Sequence, residues 1–87
     1  MITKEIEIRA AHGLHLRVAA QVVKASKDSK AKVTFFKDGQ SADASSIMEL
    51  LVLGAGEKSK VIVTVEGQDE QKTIENVAEI LIDGAGI

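Results

Sequence analysis

Eighty-seven residues with 45% apolar and 28% charged content make one domain, because two halves would each be too small to bury a core. A formal charge of −2, with two Phe and no Tyr or Trp, leaves neither a basic face nor a stacking platform for nucleic acid. With no cysteine there is no disulfide framework or thiolate metal site, and the charged start MITKEIEIR is not a secretory signal, so the expected location is cytoplasmic.

In chain order, Ile2, Ile6 and Ile8 alternate with Thr3, Glu5, Glu7 and Arg9, which predicts a strand over 2–10 covered on one face. After AHGLH, the residues Ala19, Val22, Val23 and Ser26 fall on one face at helical spacing and predict a helix over 16–28. KVTFFK (32–37) is the second strand, and Asp38-Gly39 is a hairpin turn leading to a short partner strand over 40–44. SSIMELLVLG (45–54) reads as a short helix, with Ser46 and Glu49 as a capping box and Gly54 as its stop. The β-branched KVIVTVEG (60–67) is the last strand. The final helix covers 69–84, with Ile74, Val77, Ala78 and Leu81 as its buried stripe and Asp69 and Glu70 at its positive end. The order β-α-β-β-α-β-α predicts an α+β fold, an antiparallel sheet with helices on one face. The two GAG pieces, 54–56 and 84–86, lack the lysine spacing of a nucleotide loop. No apolar run approaches the roughly 20 residues of a membrane span.

The chain's two histidines, His12 and His15, flank Gly13 in HGLHLR. His15 falls at or just before the first helical turn, where backbone N–H groups lack intrahelical partners and the dipole end is positive. Such a place binds phosphate. A histidine there could carry a phosphoryl group on a ring nitrogen while those N–H groups hold its oxygens. Imidazole titrates near neutrality, so much of it is uncharged and nucleophilic in that range. Arg17 can fork onto phosphate oxygens, and Gly13 lets the loop turn tightly. Three readings stand on this basis: loop and cap residues, a metal pair without a third ligand, and a phosphohistidine.

HGLHLRVAA resembles the active-site stretch of the HPr family, the histidine-containing phosphocarriers of the bacterial phosphotransferase system. Against the family pattern G-[LIM]-H-A-R-P-A, Gly13, Leu14, His15, Arg17 and Ala19 match. SSIMELLVLGAGEKSKVIVTVEGQDE resembles the family's regulatory-serine segment through Ser46, Ile47, Met48, Leu50 and Leu53, with Leu51 a close substitute. The similarity covers essentially the whole chain, 1–87. It implies an open-faced sandwich, a four-stranded antiparallel sheet covered on one face by three helices. It implies that His15 accepts a phosphoryl group, originally from phosphoenolpyruvate, through an enzyme I-type kinase and passes it to a sugar-specific or regulatory acceptor protein. Arg17 would steady the phosphate, with His12, Leu16 and Val18 around it. Ser46 would be the target of an ATP-dependent serine kinase and its phosphorylase, and Ile47, Met48 and Leu51 would form an apolar docking patch. The resemblance thus implies a monomeric carrier rather than an enzyme, with no cofactor, metal, membrane insertion or nucleic-acid partner. The alternative within the family is a regulatory paralogue that signals by protein binding without feeding sugar transport.

The sequence departs from the pattern in four places. Val18 replaces the proline after the arginine, and the chain has no proline at all. Leu16 replaces a smaller alanine. His12 stands where a small polar side chain is usual, and is expected either to donate a hydrogen bond or charge to the site or to point to solvent. Ser45 and Glu49 replace a lysine and a glycine beside Ser46. Glu49 is expected to cap the helix, to oppose a phosphate on Ser46, and to put a charge inside the docking patch.

Overall fold

The computed structural model describes residues 1–83, and its elements run β1 (Ile2–Glu7), α1 (Leu16–Asp28), β2 (Ala31–Lys37), β3 (Gln40–Asp43), α2 (Ile47–Leu53), β4 (Lys60–Gly67) and α3 (Glu70–Asp83). The helix end expected at residue 84 and the second GAG, 84–86, lie outside the described residues.

Alternation builds the sheet. Along β4, Val61, Val63 and Val65 are fully buried, while Lys60, Ile62 and Glu66 are exposed. A strand with that pattern can be covered on one face only. β4 pairs antiparallel with β1 on one side and β2 on the other, and β3 joins β2 at the edge, giving the order β1-β4-β2-β3. Val63 thus faces Phe35, and Val65 faces Val33, across the β2–β4 pair. The hairpin between β2 and β3 turns on Asp38 (φ 51) and Gly39 (φ 80), both left-handed, as a two-residue type I′ turn requires.

Three helices cover the inner face. α1 brings Val18, Ala19, Val22, Val23 and Ser26; α3 brings Thr73, Ile74, Val77, Ala78 and Leu81; the shorter α2 brings Leu50 and Leu53. Phe35 is the largest fully buried side chain beneath them. The outer face stays open, with Phe36 and Ile62 about two-fifths exposed and directly opposite each other in the β2–β4 register. The architecture is the open-faced sandwich that the element order and the family resemblance led us to expect.

One strand ends sooner than its alternation suggests. β1 stops at Glu7 although Ile8 and Ala10 remain buried at 0% and 2% exposure. The Ile8 N–H donates to Ser59 O (2.8 Å), and the N–H groups of Arg9 and Ala10 both donate to Leu81 O (3.0 Å each) in the last turn of α3. The chain keeps its apolar period while its hydrogen bonds leave the sheet.

Two carboxylates hold turns. Asp43 Oδ1 accepts from the backbone N–H of Ser45 (2.9 Å) and from its hydroxyl (2.7 Å), which holds the Asp43 carboxyl below its usual range. Glu70 accepts from the Gly67 N–H (3.1 Å) and from the terminal amino group, and is lowered likewise. A carboxyl lowered in the folded state stabilises it above the unfolded pKa, and that contribution disappears as pH falls through the folded value.

Replacing Phe35 with Ala should cost about 3–5 kcal/mol in urea unfolding, as expected for deletion of a buried aromatic ring. Folding stability should hold at neutral pH and fall below the ordinary carboxylate range. The double substitution Asp43→Asn, Glu70→Gln should flatten that acid limb, and an unchanged limb would show that these turns do not control it.

Candidate functional site

The site begins where β1 has left the sheet. Buried Ile8, Ala10 and Leu14 pin the segment to the core, so the polar residues between them are held outward. Gly13 N–H donates back to Ala10 O (2.9 Å), and Leu14 N–H donates to Ala55 O (2.9 Å), which joins this segment to the loop after α2. His12 (φ 68) and Gly13 (φ 69) are two successive left-handed residues. At Gly13 the demand is absolute: an added Cβ would stand 2.5 Å from Gly56 C and 2.6 Å from Glu57 N. Two backbones touch there, and only glycine leaves room. His12 has no such excuse, although histidine is among the residues that enter this region more often than most.

This turn delivers His15 to the start of α1 as its N-cap, in extended conformation (φ −86, ψ 178). His15 is half-buried, and its Nδ1 accepts the N–H of Arg17 at 3.3 Å. The ring thus does what a Ser or Asp oxygen usually does at this position. An Nδ1 that accepts has its lone pair directed at the helix, so the neutral ring carries its proton on Nε2. The first N–H bonded within the backbone is that of Ala19, to His15 O (2.8 Å). Among the described residues the N–H groups of Leu16 and Val18 have no hydrogen-bond partner. The helix start therefore offers one N–H already on Nδ1 and two uncommitted ones beside it, at the positive end of the dipole.

The other expected site residues fall differently. Arg17 is exposed and makes no ion pair among the described residues. The His12 and His15 rings meet edge to face, with centroids 6.1 Å apart and planes at 74°. Leu16 is 62% exposed and has no polar side-chain atom, so apart from its N–H it offers only apolar surface. Val18 is 0% exposed: the residue belongs to the core, and its side chain has no contact to offer at the surface. Helix α1 starts without the proline, because burying Val18 anchors the first turn.

Around Ser46 the capping box forms by half. Ser46 Oγ accepts the Glu49 N–H (3.2 Å), but the Ser46 N–H donates to Asp43 O (3.0 Å) rather than to Glu49. Glu49 Oε1 instead accepts the N–H of Asp43 (3.0 Å), on the free edge of β3. The helix accordingly starts at Ile47, with Ser46 as cap and Gly54 (φ 69) as the left-handed stop. Glu49 is thus tied to the strand edge while it lines, with Met48 and Val52, a groove between α2 and β3. The apolar surface of α2 consists of Met48 (71% exposed), Leu51 (36%) and Val52 (75%), while Ile47 is half-buried against the core. The sequence reading missed Val52, although it lies four residues after Met48, on the same helix face. The groove, of about 440 Å³, is lined by Gln40, Ser41, Met48, Glu49, Val52 and Leu53. The histidine loop does not line it.

No group of three or more His, Cys, Asp or Glu among the described residues is placed to hold a metal ion, and no described helix is long and apolar enough to cross a membrane.

The family model described as the PTS HPr component phosphorylation site matches residues 2–83. The chain is 37% identical over 83 residues to the phosphocarrier protein HPr of Buchnera aphidicola subsp. Schizaphis graminum, covering 95% of this chain and 98% of that protein. It is 35% identical over 81 residues to the phosphocarrier protein HPr of Haemophilus influenzae, covering 93% and 95%. A crystal structure of HPr from Thermoanaerobacter tengcongensis superposes with a TM-score of 0.93 at 30% identity, covering 100% of this chain and 98% of that one.

Gly13→Ala should destabilise the protein by more than the roughly 1–2 kcal/mol of left-handed strain alone, because the new methyl group meets backbone. Gly39→Ala is the control: its φ is also positive (80), but nothing lies within 4 Å of the added Cβ. Urea midpoints of the two variants should therefore separate clearly, with Gly13→Ala the lower.

Proposed function

Because this chain belongs to the HPr family, the phosphocarriers of the phosphotransferase system, we propose that His15 carries the phosphoryl group and that Nδ1 is the atom bonded to it. The supporting observation is the position of Nδ1, 3.3 Å from the Arg17 N–H and at a helix start whose Leu16 and Val18 N–H groups have no partner among the described residues.

In the resting site the Nδ1 lone pair rests on the Arg17 N–H. When a phosphoryl donor approaches, that lone pair attacks phosphorus while the bond from phosphorus to the donor's leaving atom breaks. The Arg17 N–H is then free to turn its hydrogen bond from Nδ1 to a phosphoryl oxygen. The Leu16 and Val18 N–H groups and the Arg17 guanidinium take the remaining charge. These donors are already in place, so little reorganisation accompanies the transfer. Nε2 keeps its proton through the attack, and the ring becomes a phosphorylated imidazolium. Its electron-poor P–N bond suits onward transfer: an acceptor attacks phosphorus, and the electron pair of that bond returns to Nδ1.

Donor and acceptor are protein partners in this reading: an enzyme I-type kinase on one side and a sugar-specific or regulatory protein on the other. Met48, Leu51 and Val52, with the edge of Ile47 and the exposed Leu16, supply the apolar surface on which they dock. Exposed apolar side chains of this kind mark a contact surface. Ser46 is read as a cap. A phosphate on its hydroxyl would lose the Glu49 N–H bond and face the carboxylates of Asp43 and Glu49.

Incubation with phosphoenolpyruvate and an enzyme I-type kinase, followed by intact mass, tests the reading. The protein should gain one acid-labile phosphoryl group and His15→Ala none, with its fold unchanged by circular dichroism. Arg17→Ala should slow uptake about tenfold, the scale of one charge-assisted hydrogen bond. Uptake by His15→Ala at the unmutated rate would refute the assignment.

A further inference from the structure

We propose, resting on the docking surface read above, that Met48 is a site of reversible oxidation, and that a sulfoxide there weakens docking of the phosphoryl donor without touching the chemistry at His15.

The chain has two methionines and no cysteine. A hydroperoxide therefore meets thioether sulfur at two positions and no thiol that would react first. Met1 and Met48 are equally exposed, each at 71%, but their surroundings differ. Met1 leads into β1 at one edge of the sheet, and its amino group pairs with Glu70 at the start of α3 (3.1 Å). Met48 lines the groove beside β3, at the opposite edge.

Met48 lies in the first turn of α2, three and four residues before Leu51 and Val52, so the three side chains share one face. Its sulfur thus belongs to the apolar surface and not to the core, where α2 sends Leu50 and Leu53. An oxygen added to that sulfur changes the surface and leaves the packing alone. In a complex the oxygen would be shut in beside Leu51 and Val52, neither of which has a side-chain donor to offer it. A polar group that loses water on docking without gaining a partner opposes binding.

The chemistry needs only a hydroperoxide. A sulfur lone pair attacks one peroxide oxygen as the O–O bond breaks, and an S–O bond forms. The proton of the transferred oxygen passes to the departing one. Sulfur is oxidised by two electrons, and the peroxide is reduced to water or an alcohol. A flexible apolar side chain becomes a polar one, and methionine sulfoxide reductases reverse the change, one enzyme for each sulfoxide epimer.

Hydrogen peroxide is the probe. Treated protein, with its sulfoxides located by peptide mass, is compared with its own untreated form as substrate for phosphoenolpyruvate and an enzyme I-type kinase. KM should rise about tenfold, the scale of one polar group desolvated without a partner. The value of kcat should not change, because docking is impaired while His15 is intact. Circular dichroism and the urea midpoint should stay as they were, and the two reductases together should restore KM. Met48→Leu, which keeps Met1, should give the same KM treated and untreated. A treated protein with sulfoxide at Met48 and an unaltered KM overturns the inference. So does an equal rise in treated Met48→Leu, which places the effect elsewhere, or a loss of the folded signal, which makes it structural. If the untreated protein takes up no phosphoryl group, the carrier reading falls and this inference with it; if it does, the KM comparison alone decides.

Discussion

The approach of two backbones at Gly13 sets where the first helix begins. Leu14 donates to Ala55 across that contact, and Gly13 has no side chain to hold Gly56 and Glu57 away. Any side chain there would push the loops apart and release the turn that ends at His15. The buried residues on either side, Ala10 and Leu14, fix the same segment from below. The position of His15 is therefore a consequence of core packing and close backbone contact, although His15 itself is only half-buried. Rigid support from beneath is what a chemical group on a loop needs if its geometry is to survive repeated encounters with partners.

From that position the chemistry follows with few parts. Most helices are capped by an oxygen; α1 is capped by a ring nitrogen, which in the proposed role is also the nucleophile. In the proposed role, the N–H groups at this helix start are the cradle for the oxygens of the transferred group. The core takes Val18 to anchor the first turn, and its N–H has no hydrogen-bond partner among the described residues. The apolar side chains of α2 stay exposed because the helix is short and buries only Leu50 and Leu53. The Glu49 carboxylate is tied to the end of β3, beside Met48 and Val52 in the groove.

Much of the fold was legible because its signals are local. The alternation of Val61, Val63 and Val65, the Asp38-Gly39 turn and the stripe of Ile74, Val77, Ala78 and Leu81 each depend on neighbours within a few residues. The helix start at His15 was legible for the same reason. What the sequence hid depends on partners far along the chain. Nothing in ITKEIEIRA reveals that Leu81 O will take the N–H groups of Arg9 and Ala10 and end the strand. Glu49 matches a capping box in one dimension, but in three it finds the spare N–H of Asp43 at a strand edge. Val18 reads as a neighbour of the phosphate because of its place in the motif, while its burial is decided by the sheet beneath. The contact between His12 and His15 needs two consecutive left-handed residues, and only Gly13 announced one.

The central claim concerns a single atom, and long-range ¹⁵N–³¹P correlation on the phosphorylated, ¹⁵N-labelled protein reads it directly. The account predicts phosphorus coupled to Nδ1 of His15, a proton retained on Nε2, and amide resonances of Leu16, Arg17 and Val18 displaced by new hydrogen bonds to the phosphoryl oxygens. Phosphorus on Nε2, or on either nitrogen of His12, with those three amides unmoved, would contradict it.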